Sequence, residues 1–550
     1  MMVFRFFCQL KDKHLHFKMN TIILILSTYY ALIFNMPLVI LFFDLAKNNA
    51  PLVAYSGFFL LLSCFIILFS CLSLPYLFKI VLIPLLLTSA MSFYATEQYN
   101  TIFDSSMIEN ILDTNMAESL TYLNAYSLLY FIFLGVSPAV LLFFVKIKYA
   151  KNIFKEILHR LSLVLGACLL IFFIAFFYYK DYASIGRNNS YLNKMILPAY
   201  AFNLFKYAGH QYFNKKLPFL ELGNDATLLP TKNKKPNLVV IILGETARSQ
   251  NYTYNGYFRN SSPYTQKQNL IPFLNTQSCG TYTALSLPCM FSTMTRNNYN
   301  KARAITQDNL LDILHKSGIN ILWIDNDGGD KGIANNFKTI YVSMKNQARY
   351  CTSSNCVDEA LIAELKKQLT LKNNIISDDN LIVLHLKGSH GPTYWQRYPK
   401  NKSRYKPSCD RKDIEHCTDQ EIKNVYDNSL AYTDYIISLA INTLQKQENN
   451  YNVALTYISD HGESLGEGGL YLHGTPYAFA PKEQTHVPWS LWLPQQYATA
   501  NNINTACLRK KGKSGGLSHD NFFHSMLGLL GVKTTIKDNK LDIFSSCVRE

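Results

Sequence analysis

Five apolar runs in the first third of the chain constrain its fold more than any other feature. Residues 20–43, 51–70, 74–95, 125–145 and 161–179 are each close to the ~20 residues that a helix needs to cross a hydrocarbon layer. Inside that layer each backbone N–H and C=O must find its partner within the segment, so helices are expected. Lys79 is the one charge within these runs, and near a helix end its long stem can carry the ammonium to the interface. A cleaved signal peptide does not fit the first run, which lacks a small-residue cleavage site and is followed by four more runs.

Flanking charge sets the direction. Arg5, Lys11, Lys13 and Lys18 precede the first run, and residues 146–160 carry Lys146, Lys148, Lys151, Lys155 and Arg160. Residues 94–122 carry Glu97, Asp104, Glu109, Asp113 and Glu118 and no Lys or Arg. The excess of basic residues predicts a cytoplasmic N-terminus and 146–160 loop, with everything after residue 179 on the outer side. Cysteine usage points to the same place. Cys279, Cys289, Cys351, Cys356, Cys409, Cys417, Cys507 and Cys547 all lie in the outer part. Their spacing suggests disulfides 279–289, 351–356, 409–417 and 507–547 in an oxidising compartment, and no Cys-x-x-Cys supports a zinc-cysteine site.

The chain divides into a transmembrane part, 1–179, a polar linker lying along the membrane surface, 180–235, and a globular domain, 236–550. Between the third and fourth spans, a helix near 104–120 places Asn110, Thr114 and Glu118 at i, i+4 and i+8 on one polar face. That face is either solvated or a lipid-headgroup site in which Glu118 meets an ammonium group. The globular domain alternates strands and helices: strands at 237–243, 319–324, 381–386 and 453–459, and helices near 308–317, 358–370 and 419–445. This pattern predicts a doubly wound, mostly parallel sheet.

Four strand ends carry chemistry: Gly244-Glu245, Ile324-Asp325, Leu384-His385 and Ser459-Asp460-His461. In such sheets ligands bind beyond the strands' C-terminal ends. Carboxylates mixed with imidazoles suit zinc, and His390 and His473 follow in glycine-flanked loops. Thr246, Thr281, Thr283 and Ser286 are all candidate nucleophiles, with Thr246 otherwise a helix N-cap after the first strand. The net charge of +15 favours anionic partners, here lipid headgroups, and no nucleic-acid-binding module is present.

The motifs Gly244-Glu245-Thr246-Ala247-Arg248, Ser278-Cys279-Gly280-Thr281-Tyr282-Thr283-Ala284, Pro288-Cys289-Met290, Gly388-Ser389-His390-Gly391-Pro392 and Ser459-Asp460-His461-Gly462-Glu463-Ser464 carry a resemblance. The chain resembles the lipid A phosphoethanolamine transferases of Gram-negative inner membranes, the colistin-resistance type, within the alkaline-phosphatase/sulfatase-like superfamily. The resemblance runs nearly end to end. It implies a five-helix transmembrane domain, a periplasmic catalytic domain, and transfer of phosphoethanolamine from phosphatidylethanolamine to a lipid A phosphate through a phospho-threonine. It assigns one zinc ion to Glu245, Thr283, Asp460 and His461, with Thr283 the nucleophile, and leaves room for a second zinc. Lys331, His385, His390, His473 and Glu463 match positions that hold the phosphoryl group or that second metal. Asn110, Thr114 and Glu118 match the donor-lipid contacts. Asp327 stands where relatives carry Asn, and its negative charge argues against phosphoryl contact. A monomer is expected. The resemblance leaves three other readings: an acceptor on the core sugars Kdo or heptose of lipopolysaccharide, a glycerol-phosphate transferase of the lipoteichoic-acid type, and a membrane-anchored sensor. A sensor with a decayed site would lack some of Glu245, Thr283, Asp460 and His461, and none is missing.

Overall fold

The computed structural model describes residues 16–47, 51–114, 119–150, 152–189, 191–213, 217–352, 355–371 and 378–549. These divide into two compact units. One comprises Met1–Ile108 with Leu123–Tyr212, and the other Glu109–Tyr122 with Phe213–Glu550. The sequence's 180–235 linker is thus shared between them, and its middle is a helix, Ala199–Phe213, rather than an irregular strap.

In the first unit, Pro51–Cys71, Leu77–Tyr99, Ala125–Phe144 and Ile153–Tyr182 are long and apolar enough to cross a membrane. The first expected span is not one straight helix. Met19–Phe34 and Met36–Ala46 meet at 66°. The bend has a local cause. Tyr30–Phe34 is a π-helical turn, and Pro37 brings no backbone donor to the segment that follows. The buried Asn35 side chain replaces the lost pairing: Nδ2 donates to Tyr30 O (3.0 Å) and Leu197 O (2.8 Å), while Oδ1 accepts from Leu197 N (2.9 Å). Lys79 does more than reach for water. Its ammonium donates to the carbonyls of Phe143 (2.8 Å) and Val145 (2.6 Å), at the end of a neighbouring span. The Ile153–Tyr182 helix leaves Phe172, Phe176 and Phe177 more than half exposed, a surface suited to hydrocarbon.

The second unit is built on a seven-stranded sheet: β1 Asn237–Gly244, β2 Ile271–Gln277, β3 Asn320–Asp325, β4 Lys338–Tyr341, β5 Asn380–His385, β6 Asn452–Ser459 and β7 His486–Trp492. The spatial order is β2-β7-β6-β1-β5-β3-β4. Strands β6, β1, β5, β3 and β4 run parallel, and β7 is antiparallel to both β6 and β2. Every residue of β1 is buried, as its unbroken apolar run requires of a central parallel strand. Val239, Ile241 and Leu243 pack on one face against Phe273, Leu287, Trp323 and Trp489. Register then places the site. Gly244 pairs with Ser459, Leu243 with His385, and Asp325 with His385, so the residues following all four strands emerge on one edge.

Three strands escape the sequence pattern. β4 is short and partly exposed. β2 contains Pro272, and β7 contains Pro488 at a register shift between Val487 and Trp489. Proline in a run argues against an interior strand, and a bulge is one of the places that admits it. Of the helix predicted near 104–120, Ser105–Asp113 is helical, and residues 115–118 lie outside the described residues.

All four expected disulfides are formed: Cys279–Cys289, Cys351–Cys356, Cys409–Cys417 and Cys507–Cys547. The first closes the loop around Thr283. Replacing Cys279 and Cys289 by Ser is expected to cost roughly 2–3 kcal/mol by loosening that loop in the unfolded chain. Thermal unfolding of the double variant without reductant checks this.

Candidate active site

Glu245 follows β1 and is fully buried. Thr246 does not cap a helix. Its φ is +53°, its hydroxyl donates to Glu245 O (2.9 Å), and its N–H donates to Asp460 Oδ1 (3.2 Å). The chain continues as a 3-10 turn, Ser249–Asn251, without a side-chain cap. The left-handed backbone at Thr246 turns the strand's exit toward the Asp460 loop, so the residue serves geometry and not helix initiation. From the other side, Asp460 N–H donates to Gly244 O (3.0 Å), which ties the two strand ends together.

Thr283 opens the helix Thr283–Met290. Its hydroxyl donates to Glu245 Oε2 (3.0 Å) and lies 3.4 Å from His461 Nε2. His461 Nδ1 faces Gly462 O at 2.9 Å, so that nitrogen carries the proton and Nε2 is left as a lone-pair donor. That atom lies 3.4 Å from Glu245 Oε1 and 3.3 Å from Asp460 Oδ2. Of the alternative nucleophiles, Ser286 donates to Asp460 O and Thr281 to Thr475 O, so both hydroxyls serve backbone contacts.

Glu245, Asp460 and His461 each offer a ligand atom within 4.8 Å of the others, and all three side chains are buried. Two carboxylates taken out of water side by side are unfavourable without a compensating cation. Burial, with Asp460 and Asp327 adding to it, drives the Glu245 carboxyl well above its ordinary range. Burial also pushes Asp460 up, but the neighbouring His461, whose backbone N–H donates to Asp460 Oδ1 (2.7 Å), holds it below the usual value. Glu245 Oε1 and Asp460 Oδ2 make no hydrogen bond among the described residues. Buried lone pairs left in this state, beside an imidazole presenting its bare nitrogen, are what a divalent cation needs. The residues fit a metal.

Around this centre, a cleft is lined by Asn110, Asp113, Thr114, Thr283, Ala284, Asp327, Lys331, His390 and His473. Thr114 donates to Asn110 O (2.6 Å), which keeps the polar face of that short helix in register. Glu118 lies outside the described residues. His473 Nδ1 is 2.8 Å from Glu463 Oε2, and Tyr394 OH donates to Glu463 Oε1 (2.6 Å). Glu463 thus orients the His473 ring through Oε2 and is itself held by Tyr394 through Oε1. The His473 ring stands 4.6 Å from that of His461 and 5.2 Å from that of His390. Gly388 lets its loop pass tight against Glu245. A Cβ there would fall 2.6 Å from Glu245 O, and its φ is +51°.

Similarity to known proteins extends over both units of the chain. Residues 61–212 match the family model described as phosphoethanolamine transferase EptA/EptB, and residues 237–532 match that described as sulfatase. The chain is 41% identical over 467 residues to phosphoethanolamine transferase EptA of Escherichia coli K12, an alignment covering 84% of each. It belongs to this family. It is also 37% identical over 477 residues to phosphatidylethanolamine transferase Mcr-1 of Escherichia coli, covering 83% of this chain and 86% of that protein. The solved structure of the integral membrane protein lipooligosaccharide phosphoethanolamine transferase A (EptA) from Neisseria meningitidis matches with TM-score 0.93 at 33% identity. It covers 98% of this chain and 100% of that one.

Three residues of this EptA-family site were not singled out from sequence. Tyr282 precedes Thr283 and donates to Glu109 Oε2 (3.0 Å), while Lys301 pairs with the same carboxylate and, at 3.4 Å, with Asp113. This joins the helix bearing Asn110 and Thr114 to the nucleophile's loop. His519 is the third. Its Nε2 faces Ser459 O (3.0 Å), and its Nδ1 accepts from Cys279 N–H (3.1 Å) beside Ser286 Oγ (3.3 Å). It thereby braces the Thr283 helix against the Asp460 loop. A histidine in Leu517-Ser518-His519 has no motif to betray it.

Burial lowers the His519 imidazole to about 4. The unfolded chain takes up a proton near pH 6.5 that the folded chain refuses. The contribution is complete above pH 6.5 and is lost as pH falls through 4, a change of about 3 kcal/mol. His519→Asn, which keeps an acceptor for Cys279 N–H, should flatten this part of the acid limb. Thermal unfolding of both proteins between pH 7 and pH 4 reads the difference.

Proposed function

We propose that the chain transfers phosphoethanolamine from phosphatidylethanolamine to a phosphate of lipid A, with Thr283 carrying the group between them. The observation that supports this most is the Thr283 hydroxyl, 3.0 Å from Glu245 Oε2 at the centre of a buried carboxylate-imidazole cluster. The name of Mcr-1, a phosphatidylethanolamine transferase, supplies the donor, and that of the Neisseria enzyme an acceptor, lipooligosaccharide.

Glu245, Asp460 and His461, with Thr283, are the residues that would hold a zinc ion; mixed carboxylate and imidazole donors suit that metal. When bound, zinc supplies Lewis-acid charge that lowers the pKa of a hydroxyl and stabilises charge on phosphoryl oxygens. The chain's own groups do the rest. Asn110 and Thr114, with Glu118, would receive the ethanolamine end of the donor. Lys331, His390 and His473 would hold the phosphodiester anion by charge-assisted hydrogen bonds. Thr283 gives its hydroxyl proton to its hydrogen-bond acceptor, Glu245 Oε2, as Oγ attacks phosphorus; the Oγ–P bond forms and the bond to the glycerol oxygen breaks. Diacylglycerol leaves with a proton, for which the His390 and His473 imidazoles are the available donors. In the second half a lipid A phosphate oxygen attacks the same phosphorus, and Thr283 Oγ departs and regains its proton.

The chain is read as a Gram-negative inner-membrane protein with five crossings, the bent pair counting as one. Its N-terminus is cytoplasmic, residues 1–179 form the membrane domain, 180–235 the linker and 236–550 the periplasmic catalytic domain. Four disulfides support the oxidising compartment. Covering an acceptor phosphate with an ethanolamine cation removes negative charge that polymyxins require, and resistance follows. The test is direct. Purified protein incubated with phosphatidylethanolamine, without acceptor, should yield a digest in which the Thr283 peptide carries one phosphoethanolamine. Modification elsewhere, or none with diacylglycerol still released, would refute the assignment.

A further inference from the structure

We propose that Tyr282, Glu109 and Lys301 are positioning residues for the transfer, a link that sets the distance between the donor's amine end and the Thr283 hydroxyl. The inference rests on the transferase reading for what the donor is.

All three residues belong to one compact unit. The helix Ser105–Asp113 and the residue after it supply two neighbouring stripes. Glu109 and Asp113 are four residues apart, and so are Asn110 and Thr114. An offset of one residue turns the second pair about 100° around the axis from the first. Asn110, Asp113 and Thr114 line the cleft with Thr283. Glu109 instead meets the segments on either side of the nucleophile's helix. Its Oε2 accepts from Tyr282 OH (3.0 Å), and its Oε1 is ion-paired with Lys301 Nζ, which also lies 3.4 Å from Asp113 Oδ2. The Glu109 side chain is only 16% exposed, so salt and water screen these bonds little. Lys301 opens the short helix Lys301–Ala304, which the Asn300 side chain caps by accepting from Arg303 N–H (3.1 Å). Its backbone is thus fixed where the ammonium reaches both carboxylates.

Tyr282 immediately precedes Thr283, and its backbone is extended, with φ −156° and ψ 152°. Successive side chains of an extended segment point to opposite sides. Thr281 goes one way: its hydroxyl donates to Thr475 O (2.8 Å), and its carbonyl accepts from Gly474 N–H (2.8 Å). Those two bonds fasten the loop to the segment that follows His473. Tyr282 goes the other way, to Glu109. Thr283 therefore leaves a stretch of chain held from both sides.

Each end of the link is the sequence neighbour of a group assigned to the donor, Glu109 of Asn110 and Tyr282 of Thr283. A phosphoethanolamine headgroup has a limited span from nitrogen to phosphorus. With its amine at Asn110 and Thr114, its phosphorus comes into line with Thr283 Oγ only while the two elements keep their spacing. A shift of about 1 Å can cost about 100-fold in rate.

The test is the loading half-reaction of full-length protein in detergent, with phosphatidylethanolamine as donor and no acceptor. Phosphoethanolamine on the Thr283 peptide after rapid quenching gives a first-order rate constant at saturating donor and the donor concentration at half saturation. Neither depends on how much of the sample is folded. Glu109→Ala and Lys301→Ala should lower the rate constant about 10- to 100-fold, and Tyr282→Phe, which loses a single hydroxyl, about tenfold, with half saturation within about threefold of wild type. Lys301→Arg should recover most of the loss. Because both changes break one link, Glu109→Ala combined with Tyr282→Phe should be no more than about threefold slower than Glu109→Ala alone. Unchanged rate constants, the mark of a role in folding alone, would overturn the proposal. So would a rise in half saturation without a fall in rate, or losses that multiply in the double variant. Wild-type protein that never loads Thr283 would instead refute the transferase reading, and the link with it.

Discussion

Thr283→Ala is expected to abolish transfer, lowering the rate by ~10^4-fold or more, as removal of a nucleophile that works within a unit does. The substitution isolates chemistry from folding. Thr283 is the first residue of its helix, where alanine is well tolerated, and the Cys279–Cys289 bridge continues to hold the loop. What is lost is one hydroxyl, with its hydrogen bond to Glu245. Release of diacylglycerol from a fluorescent phosphatidylethanolamine gives the rate. Thr283→Ser should retain measurable activity because it keeps the oxygen. An alanine variant within tenfold of wild type would remove Thr283 from the mechanism.

Chelation of divalent metal should silence the enzyme just as fully, and zinc should restore it. The physical reason lies in Glu245 Oε1 and Asp460 Oδ2, buried together without a hydrogen-bond partner among the described residues. Asp460→Asn removes one of the two charges and one ligand, so it should remain folded, lose the metal and lose transfer. Saturating zinc at a thousand times its Kd would add about 4 kcal/mol to folding stability. A thermal scan with and without zinc reads this gain, which should be largely absent in Asp460→Asn. Full activity after exhaustive stripping would defeat the metal-dependent account.

The features most legible in the sequence were those with a strong period or a strong chemical signature. The apolar runs and the strands that became β1, β3, β5 and β6 are dense in aliphatic residues, and Glu245, Asp325, His385 and Asp460 sit at their ends because parallel strands share a direction. What remained hidden depends on distant contacts. The bend at Asn35 exists because Leu197, far along the chain, supplies its hydrogen-bond partners. The prolines of β2 and β7 masked real strands. Thr246 resembled an N-cap, yet its left-handed backbone is set by Asp460 across the sheet. His519 and Lys301 have no local signature, and only the folded chain brings them to the loop that bears Thr283.

The most direct test of the central claim is mass spectrometry of lipid A from a polymyxin-sensitive Gram-negative host expressing this protein. The account predicts lipid A heavier by one phosphoethanolamine on a phosphate with the wild-type chain, and unmodified lipid A with Thr283→Ala. Unmodified lipid A from the wild type, the group found on a core sugar instead, or equal modification by Thr283→Ala would contradict it.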